Sequence, residues 1–349
     1  MEIKNKVKVL IIDDSIIFRT MLSKALMEKG DIEVVGSAAD PFEAKDMILR
    51  LKPEVITLDV EMPKMNGIEF LKKLLPQYPV PVIVVTSTAV NAFEAISAGA
   101  VDYIKKPASN DLNAFSHELR QMVRTAKIAK VMKPRAAVAP GPAVSSLKTS
   151  GPLDFSSVSK KIIALGASTG GTEALQRVLE NLPPNMPGIV IVQHMPAGFT
   201  KMYADRLNRV CKMEVREAVD GDRVKQGLVL IAAGGECHMR LKKDTQGYFV
   251  SCQKGEKVSG HCPSVDVLFD SVADTAKADA IGVILTGMGS DGVKGLLKMK
   301  QTGAYTIGQD KDTCVVYGMP MVAFNVGAVV RQAPLDAISG ILIDRLRRN

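Results

Sequence analysis

Three residues in the second half of the chain have the chemistry of a serine nucleophile and its proton relay. Ser168 stands in GASTGG, directly after the apolar run KIIALGA and before a helical pattern that opens at Glu173. Glycines at 166, 170 and 171 permit a tight strand-to-helix turn with close backbone approach, and the spacing is G-x-S-x-G. Taken alone, this motif equally suits a phosphate-binding loop or a plain helix cap. His194 closes a second apolar run, GIVIVQH, and Asp291 lies in a glycine-rich loop after a third, AIGVILTGMGSDG. A serine is a poor nucleophile until a histidine takes its proton, and an acid must orient that histidine. Three strand ends of one parallel sheet can converge in that geometry. Separately, His194 reads as an ordinary core or surface histidine and Asp291 as a helix cap; together they read as a triad.

A second set of reactive residues lies in the first half. Asp13 and Asp14 follow VKVLII, and Asp59 follows VITL. Clustered carboxylates repel one another unless a hard divalent cation neutralises them, and Mg²⁺ suits a partly hydrated oxygen site of this kind. Thr86 ends the next apolar run, and Lys106, in YIKKP, follows the last. In open parallel sheets such strand ends share the edge where ligands bind.

The elements that must carry these residues are legible as apolar runs. In the first half they fall at Lys8 to Ile12, Glu33 to Ser37, Val55 to Leu58, Val82 to Val85 and Val101 to Ile104. Helical patterns lie between them, such as Ser15 to Glu28, closed by Gly30. Continuous β-branched runs alternating with helices predict a parallel sheet covered on both faces. The expected fold class is therefore α/β, with a doubly wound domain over residues 1–126. From 127 to 159 the chain turns rich in Ala, Pro, Ser, Gly and Lys and reads as a linker, because it carries too little apolar surface to offset its ordering entropy. A second α/β domain is expected over 160–349. Its runs are Ile162 to Leu165, Ile189 to Val192, Val229 to Ala232, Ile281 to Leu285 and Tyr305 to Gly308, with short strands and turns between 213 and 254.

Composition narrows the function classes. The formal charge of +8 over 349 residues is concentrated in residues 127–161, which hold seven basic residues against one acidic. Both domains are then close to neutral, which argues against nucleic-acid binding. No apolar run is long enough to span a bilayer, and Met1 to Val9 lacks a signal peptide's apolar core, so a cytoplasmic protein without membrane insertion is expected. Five loosely spaced cysteines fit reduced thiols. The neighbours Cys237-His238 and His261-Cys262 are poor zinc ligands, since adjacent residues on extended chain point to opposite faces.

The acid pair, Asp59, Thr86 and Lys106 resemble the receiver domain of two-component response regulators. That resemblance implies a flavodoxin-like domain in which Asp59 is phosphorylated by a chemotaxis histidine kinase. Asp13, Asp14 and Asp59, with the main-chain carbonyl of Glu61, would hold Mg²⁺; Thr86 and Lys106 would contact the phosphoryl group, and Tyr103 would be the switching aromatic. The order Ser–His–Asp differs from that of α/β-hydrolases. Instead, IALGASTGGTEAL, VIVQHMPAGFT, PSVDVLFDSVA and GVILTGMGSDGVKGL resemble the chemotaxis protein-glutamate methylesterase family, a receiver coupled to a Rossmann-like serine-hydrolase domain. The resemblance implies hydrolysis of glutamyl methyl esters, and deamidation of particular glutamines, on methyl-accepting chemoreceptors. It assigns Ser168 as nucleophile, His194 as general base, Asp291 as its orienting acid and the Met288 backbone as oxyanion donor, with Thr169 beside the nucleophile. No cofactor is expected for the ester chemistry, and the protein is expected to be a monomer. Three departures from the family pattern stand out: a short stretch from Thr86 to Gly99, Cys262 where arginine is common, and an altered loop at 233–239. A DNA-binding output would require a basic helix-turn-helix, which the near-neutral, strand-rich second half does not offer.

Overall fold

The apolar runs form two parallel sheets, and the computed structural model describes residues 6–107, 112–131 and 160–347. The chain divides into two units, Met1–Ala136 and Ala137–Asn349. Residues 132–159, most of the expected linker, lie outside the described residues.

In the first unit the strands are β1 (Val7–Ile12), β2 (Ile32–Ala38), β3 (Val55–Asp59), β4 (Val82–Thr86) and β5 (Asp102–Lys105). They alternate with α1 (Ile16–Met27), α2 (Pro41–Leu51), α3 (Gly67–Leu74), α4 (Ala89–Ser97) and α5 (Leu112–Lys127). The sheet order is β2-β1-β3-β4-β5, with every pairing parallel. Burial of every β3 and β4 residue explains why these strands read as unbroken apolar runs instead of alternating ones. Four helix starts are set by side chains that accept otherwise unpaired N–H groups: Ser15, Asp40, Asn66 and Thr88. The order reverses between β1 and β3, so their carboxyl ends open a crevice at the switch point. Asp13 follows β1 directly, and Asp59 is the last residue of β3. The short stretch after Thr86 folds as α4, nine residues long.

The second unit has a seven-stranded sheet. Its strands are β6 (Ile162–Ala167), β7 (Gly188–Gln193), β8 (Glu214–Glu217), β9 (Leu228–Ile231), β12 (Ala280–Ile284), β13 (Tyr305–Gln309) and β14 (Arg331–Ala333). The order is β14-β13-β12-β6-β7-β9-β8, again wholly parallel. An antiparallel hairpin of β10 (Cys237–Asp244) and β11 (Gly247–Lys254) stands apart from it. The helices are α6 (Gly171–Glu180), α7 (Phe199–Val210), α8 (Val265–Ala276), α9 (Val293–Gln301), α10 (Met319–Asn325) and α11 (Leu335–Arg347). One core joins Ile162, Ala164 and Val190 of the sheet to Leu268, Phe269 and Val272 of α8 and to Met239, Leu241 and Val250 of the hairpin. Phe269 is fully buried there; truncating such a ring to alanine costs about 3–5 kcal/mol.

Gly166 sets how close α8 comes to the sheet. A Cβ at that position would lie 2.2 Å from Val265 Cγ1, so any larger residue would push the helix start away from β6. The N-terminus of α8 thereby reaches the sheet edge where β6, β7 and β12 end. Among the described residues, no helix is long and apolar enough to cross a membrane.

Candidate active sites

In the first unit, Asp13, Asp14 and Asp59 each offer a carboxylate oxygen within 4.8 Å of the others. Asp13 and Asp59 are buried, while Asp14 is exposed. Lys106 Nζ donates to Asp59 Oδ2 at 2.6 Å and to Asp13 Oδ2 at 3.3 Å. Burial raises the Asp13 carboxyl above its ordinary value; Lys106 pulls it back, and neighbouring Asp59 pushes it further up. Although burial works against the Lys106 ammonium, its hydrogen bond to Asp59 and the charge there hold its pKa above the ordinary lysine value. One ammonium against three carboxylates leaves net negative charge, and an all-oxygen cluster of this spacing could hold a hard divalent cation.

The other residues expected here surround the cluster. Glu61 follows Asp59 by two positions, and its N–H donates to Asp59 Oδ1 at 3.3 Å, while its side chain accepts from Asn91. The Glu61 carboxylate is thus engaged elsewhere. Thr86 is buried at the end of β4, where its hydroxyl accepts from the Thr88 N–H at 3.3 Å. Tyr103 is buried on β5 with its ring edge-on to Phe93 at 6.2 Å, and burial pushes its hydroxyl well above the ordinary tyrosine value.

In the second unit, Ser168 occupies the turn between β6 and α6, which Gly170 completes in left-handed conformation at φ 76°. Its Oγ lies 3.2 Å from His194 Nδ1, and His194 Nε2 lies 2.8 Å from Asp291 Oδ2. The three residues follow β6, β7 and β12, so the sheet brings together what the sequence spreads over 123 positions. Asp291, ionised, only accepts, which puts the imidazole proton on Nε2 and leaves the Nδ1 lone pair facing the serine hydroxyl. This is the reverse of the chymotrypsin arrangement, where Nε2 faces serine. Burial alone would raise the Asp291 carboxyl, but hydrogen bonds from His194 and Ser264, the charge of His194 and the Asp266 N–H bring it down to about 2.

The loop carrying Met288 runs against the nucleophile: a Cβ on Gly287 would lie 2.7 Å from Ser168 Cβ. Met288 is exposed. Thr169 is buried, and its carbonyl accepts from Thr286 Oγ1 at 3.0 Å, which fixes the backbone beside the serine.

Two features escaped the sequence reading. The N-terminus of α8 grips Asp291: Ser264 Oγ donates to Oδ1 at 2.7 Å, Val265 N–H to Oδ2 at 2.7 Å and Asp266 N–H to Oδ1 at 3.0 Å. A serine ahead of an apolar run such as VDVLF is the kind of signal that marks a helix cap, but nothing in the sequence points to the carboxylate that it holds. His261, considered only as a zinc ligand, stacks on His194. His238, its counterpart in that reading, is buried with Nε2 bonded to Glu256 O at 2.7 Å and Nδ1 accepting from the Ser264 N–H at 3.2 Å.

Both halves of the chain match known protein families. The sequence model of the CheB methylesterase family matches residues 163–342, and that of the response regulator receiver domain matches residues 9–116. The chain belongs to the CheB methylesterase family. A protein-glutamate methylesterase/protein-glutamine glutaminase 2 from Syntrophomonas wolfei is 52% identical over 340 residues, covering 97% of each chain. A protein-glutamate methylesterase/protein-glutamine glutaminase from Syntrophotalea carbinolica is 47% identical over 348 residues, covering 98% of each. The crystal structure of the Thermotoga maritima CheB methylesterase catalytic domain matches 53% of this chain and 98% of its own, at 44% identity and a TM-score of 0.52. Within this family fold, Cys262 is partly buried with Sγ 3.9 Å from the Gly255 carbonyl. It sits between His261 and the Ser264 cap, on the strap that leads into the Asp291 site.

Proposed function

We propose that this CheB-family chain hydrolyses glutamyl methyl esters on chemoreceptors and deamidates receptor glutamines, under control of phosphorylation at Asp59. The observation that carries the reading is the hydrogen-bonded series Ser168 Oγ–His194–Asp291, with Asp291 held ionised beneath it. In the reaction, Ser168 Oγ attacks the ester carbonyl as its proton passes to His194 Nδ1. The carbonyl π electrons move to oxygen, and the Met288 N–H stabilises that oxyanion. The intermediate collapses by breaking the C–O bond to methoxide, which leaves as methanol with the proton from His194. Water then attacks the acyl-serine by the same relay and releases the glutamate and Ser168. With a glutamine substrate the leaving group is ammonia. Asp291 keeps the imidazole in the tautomer that presents Nδ1 to serine and stabilises the imidazolium.

In the first unit, Asp59 is the phosphoacceptor for a histidine kinase. Asp13, Asp14 and Asp59, with the Glu61 carbonyl, would hold Mg²⁺, which supplies positive charge for the oxygens of the incoming phosphoryl group. Lys106, which donates to Asp59, and Thr86 would contact that group, and Tyr103, packed against Phe93, would report the change. Residues 1–126 are the receiver, 127–159 the linker and 160–349 the hydrolase, in a cytoplasmic monomer. Loss of the nucleophile is the direct test. Ser168→Ala should fold normally and lose up to about 10⁶ in turnover; methanol release from methylated receptor membranes above a tenth of the wild-type rate would rule out Ser168.

A further inference from the structure

His261 lies face to face with His194, the ring centroids 3.7 Å apart and the planes 9° from parallel. Its main chain is fixed by a reciprocal pair of hydrogen bonds with Val258, each 3.0 Å. Three residues later, Ser264 caps α8 and donates to Asp291. The segment that carries the His261 ring is thus anchored on one side to its own turn and on the other to the acid of the triad.

The hydrogen bonds of His194 leave one motion unconstrained. Nδ1 points to Ser168 and Nε2 to Asp291, which fixes the ring along the line through those two nitrogens. Tilt of the ring about that line changes neither distance much, yet it misaligns the Nδ1 lone pair with the serine proton. A second flat ring at 3.7 Å closes off that tilt on one face.

Charge favours the same arrangement. During attack, His194 becomes an imidazolium, and the π face of a neutral ring attracts a cation over it. A second protonated imidazole there would repel it. Burial first, and then the neighbouring His194, push His261 down to about 4, with Lys257 adding to the effect and Asp291 opposing it. His261 is therefore neutral at neutral pH.

We propose that His261 is a positioning residue of the esterase: its ring holds the tilt of His194 and stabilises the protonated form that appears in the transition state. It acts on turnover and leaves substrate binding alone. This inference rests on the methylesterase reading above.

The test uses the full chain with methylated receptor membranes and compares wild type, Ser168→Ala, His261→Ala and His261→Phe, with rates referred to the folded fraction from thermal unfolding. His261→Ala should lower kcat about tenfold with KM unchanged, the size expected for loss of a desolvated cation–π contact. Labelling of Ser168 by a small fluorophosphonate should slow by the same factor, since that reagent does not use the receptor-binding surface. His261→Phe, which keeps a flat ring without titratable nitrogens, should restore most of both rates. An unchanged kcat in His261→Ala, a loss confined to KM, or a phenylalanine variant as slow as the alanine variant would each overturn the proposal. A wild type that releases no methanol, or a Ser168→Ala variant that still does, would instead overturn the esterase reading itself.

Discussion

Asp13 and Asp291 are both buried carboxylates at the carboxyl edge of a parallel sheet, yet their acidities move in opposite directions. Asp291 accepts from His194 Nε2, Ser264 Oγ and the N–H groups of Val265 and Asp266, the last two from the start of a twelve-residue helix whose dipole favours an anion. Those donors outweigh burial and bring its pKa to about 2. Among the described residues, the Asp13 carboxylate accepts from the Ser15 N–H at 2.9 Å and from a Lys106 ammonium at 3.3 Å that Asp59 holds more closely. Its burial is not offset, and its pKa rises. The lesson concerns what each site is free to do. A carboxylate saturated by protein donors can orient a neighbour and nothing else. A cluster left short of donors retains the negative charge and open lone pairs that attract a cation.

The largest expected effect comes from breaking the saturated site. Asp291→Asn keeps the shape but presents an amide that can donate to His194, favouring the tautomer with the proton on Nδ1. That nitrogen then cannot take the serine proton, and kcat should fall about 10⁴-fold, as the equivalent change does in chymotrypsin-like enzymes. Methanol release measured against wild type checks this. A loss under tenfold would mean that Asp291 is not what orients the base. The same carboxylate also leaves a mark on acid stability. Its folded pKa of about 2 lies below the ordinary 3.8, so the folded state binds fewer protons than the unfolded state between those values. The stabilisation, about 2–3 kcal/mol at most, is complete above the ordinary value and is lost as pH falls through about 4 toward 2. Denaturant midpoints of wild type and Asp291→Asn should therefore converge at the acid end of that window.

How much of this could be read from the sequence differs between the two sites. Each strand that delivers a candidate residue was visible as an apolar run, because strands buried on both faces need no polar alternation: VITL before Asp59 and GIVIVQ before His194 are examples. The acid cluster is built almost wholly from residues at those strand ends, so reading the ends also located the cluster. The second site depends on contacts that strand ends do not reveal. Ser264 reaches Asp291 across 27 positions, and that contact exists because Gly166 lets α8 approach β6. His261 sits in an irregular segment with no periodic signal, and its stacking depends on how that segment is tied down. The three-residue β14 is too short to show any pattern at all.

A smaller effect tests whether the two sites communicate. If phosphorylation at Asp59 governs the hydrolase, a small phosphodonor with Mg²⁺ should raise methanol release by the full chain. A tenfold rise corresponds to about 1.4 kcal/mol of difference between the two receiver states. Asp59→Asn should abolish the response without lowering the basal rate. A response that persists in Asp59→Asn would separate activation from this carboxylate and leave the hydrolase assignment untouched.

The smallest effect sharpens the comparison most directly, because the same substitution should have opposite consequences at the two aspartates. Asp13→Asn removes one of three crowded carboxylates. It relieves repulsion with Asp59 and the cost of a buried charge that too few donors reach, while the amide can still hydrogen-bond to Ser15. In the absence of divalent cation at neutral pH, this variant should be more stable than wild type by about 1 kcal/mol, the lower end of the gain seen when buried charged groups are replaced. Asp291→Asn should be destabilised, since Ser264, Val265 and Asp266 lose an anionic acceptor. Mg²⁺ then separates the pair further. A ligand that binds only the folded state stabilises by RT ln(1 + [L]/Kd), so at tenfold excess over Kd wild type should gain about 1.4 kcal/mol and Asp13→Asn much less. Asp291→Asn should gain as much as wild type, its own site being unconnected to the cation. Thermal unfolding of the three proteins with and without Mg²⁺ measures all of this. If Asp13→Asn is destabilised in cation-free buffer, the Asp13 carboxylate is better satisfied than two donors allow, and the contrast between the sites fails.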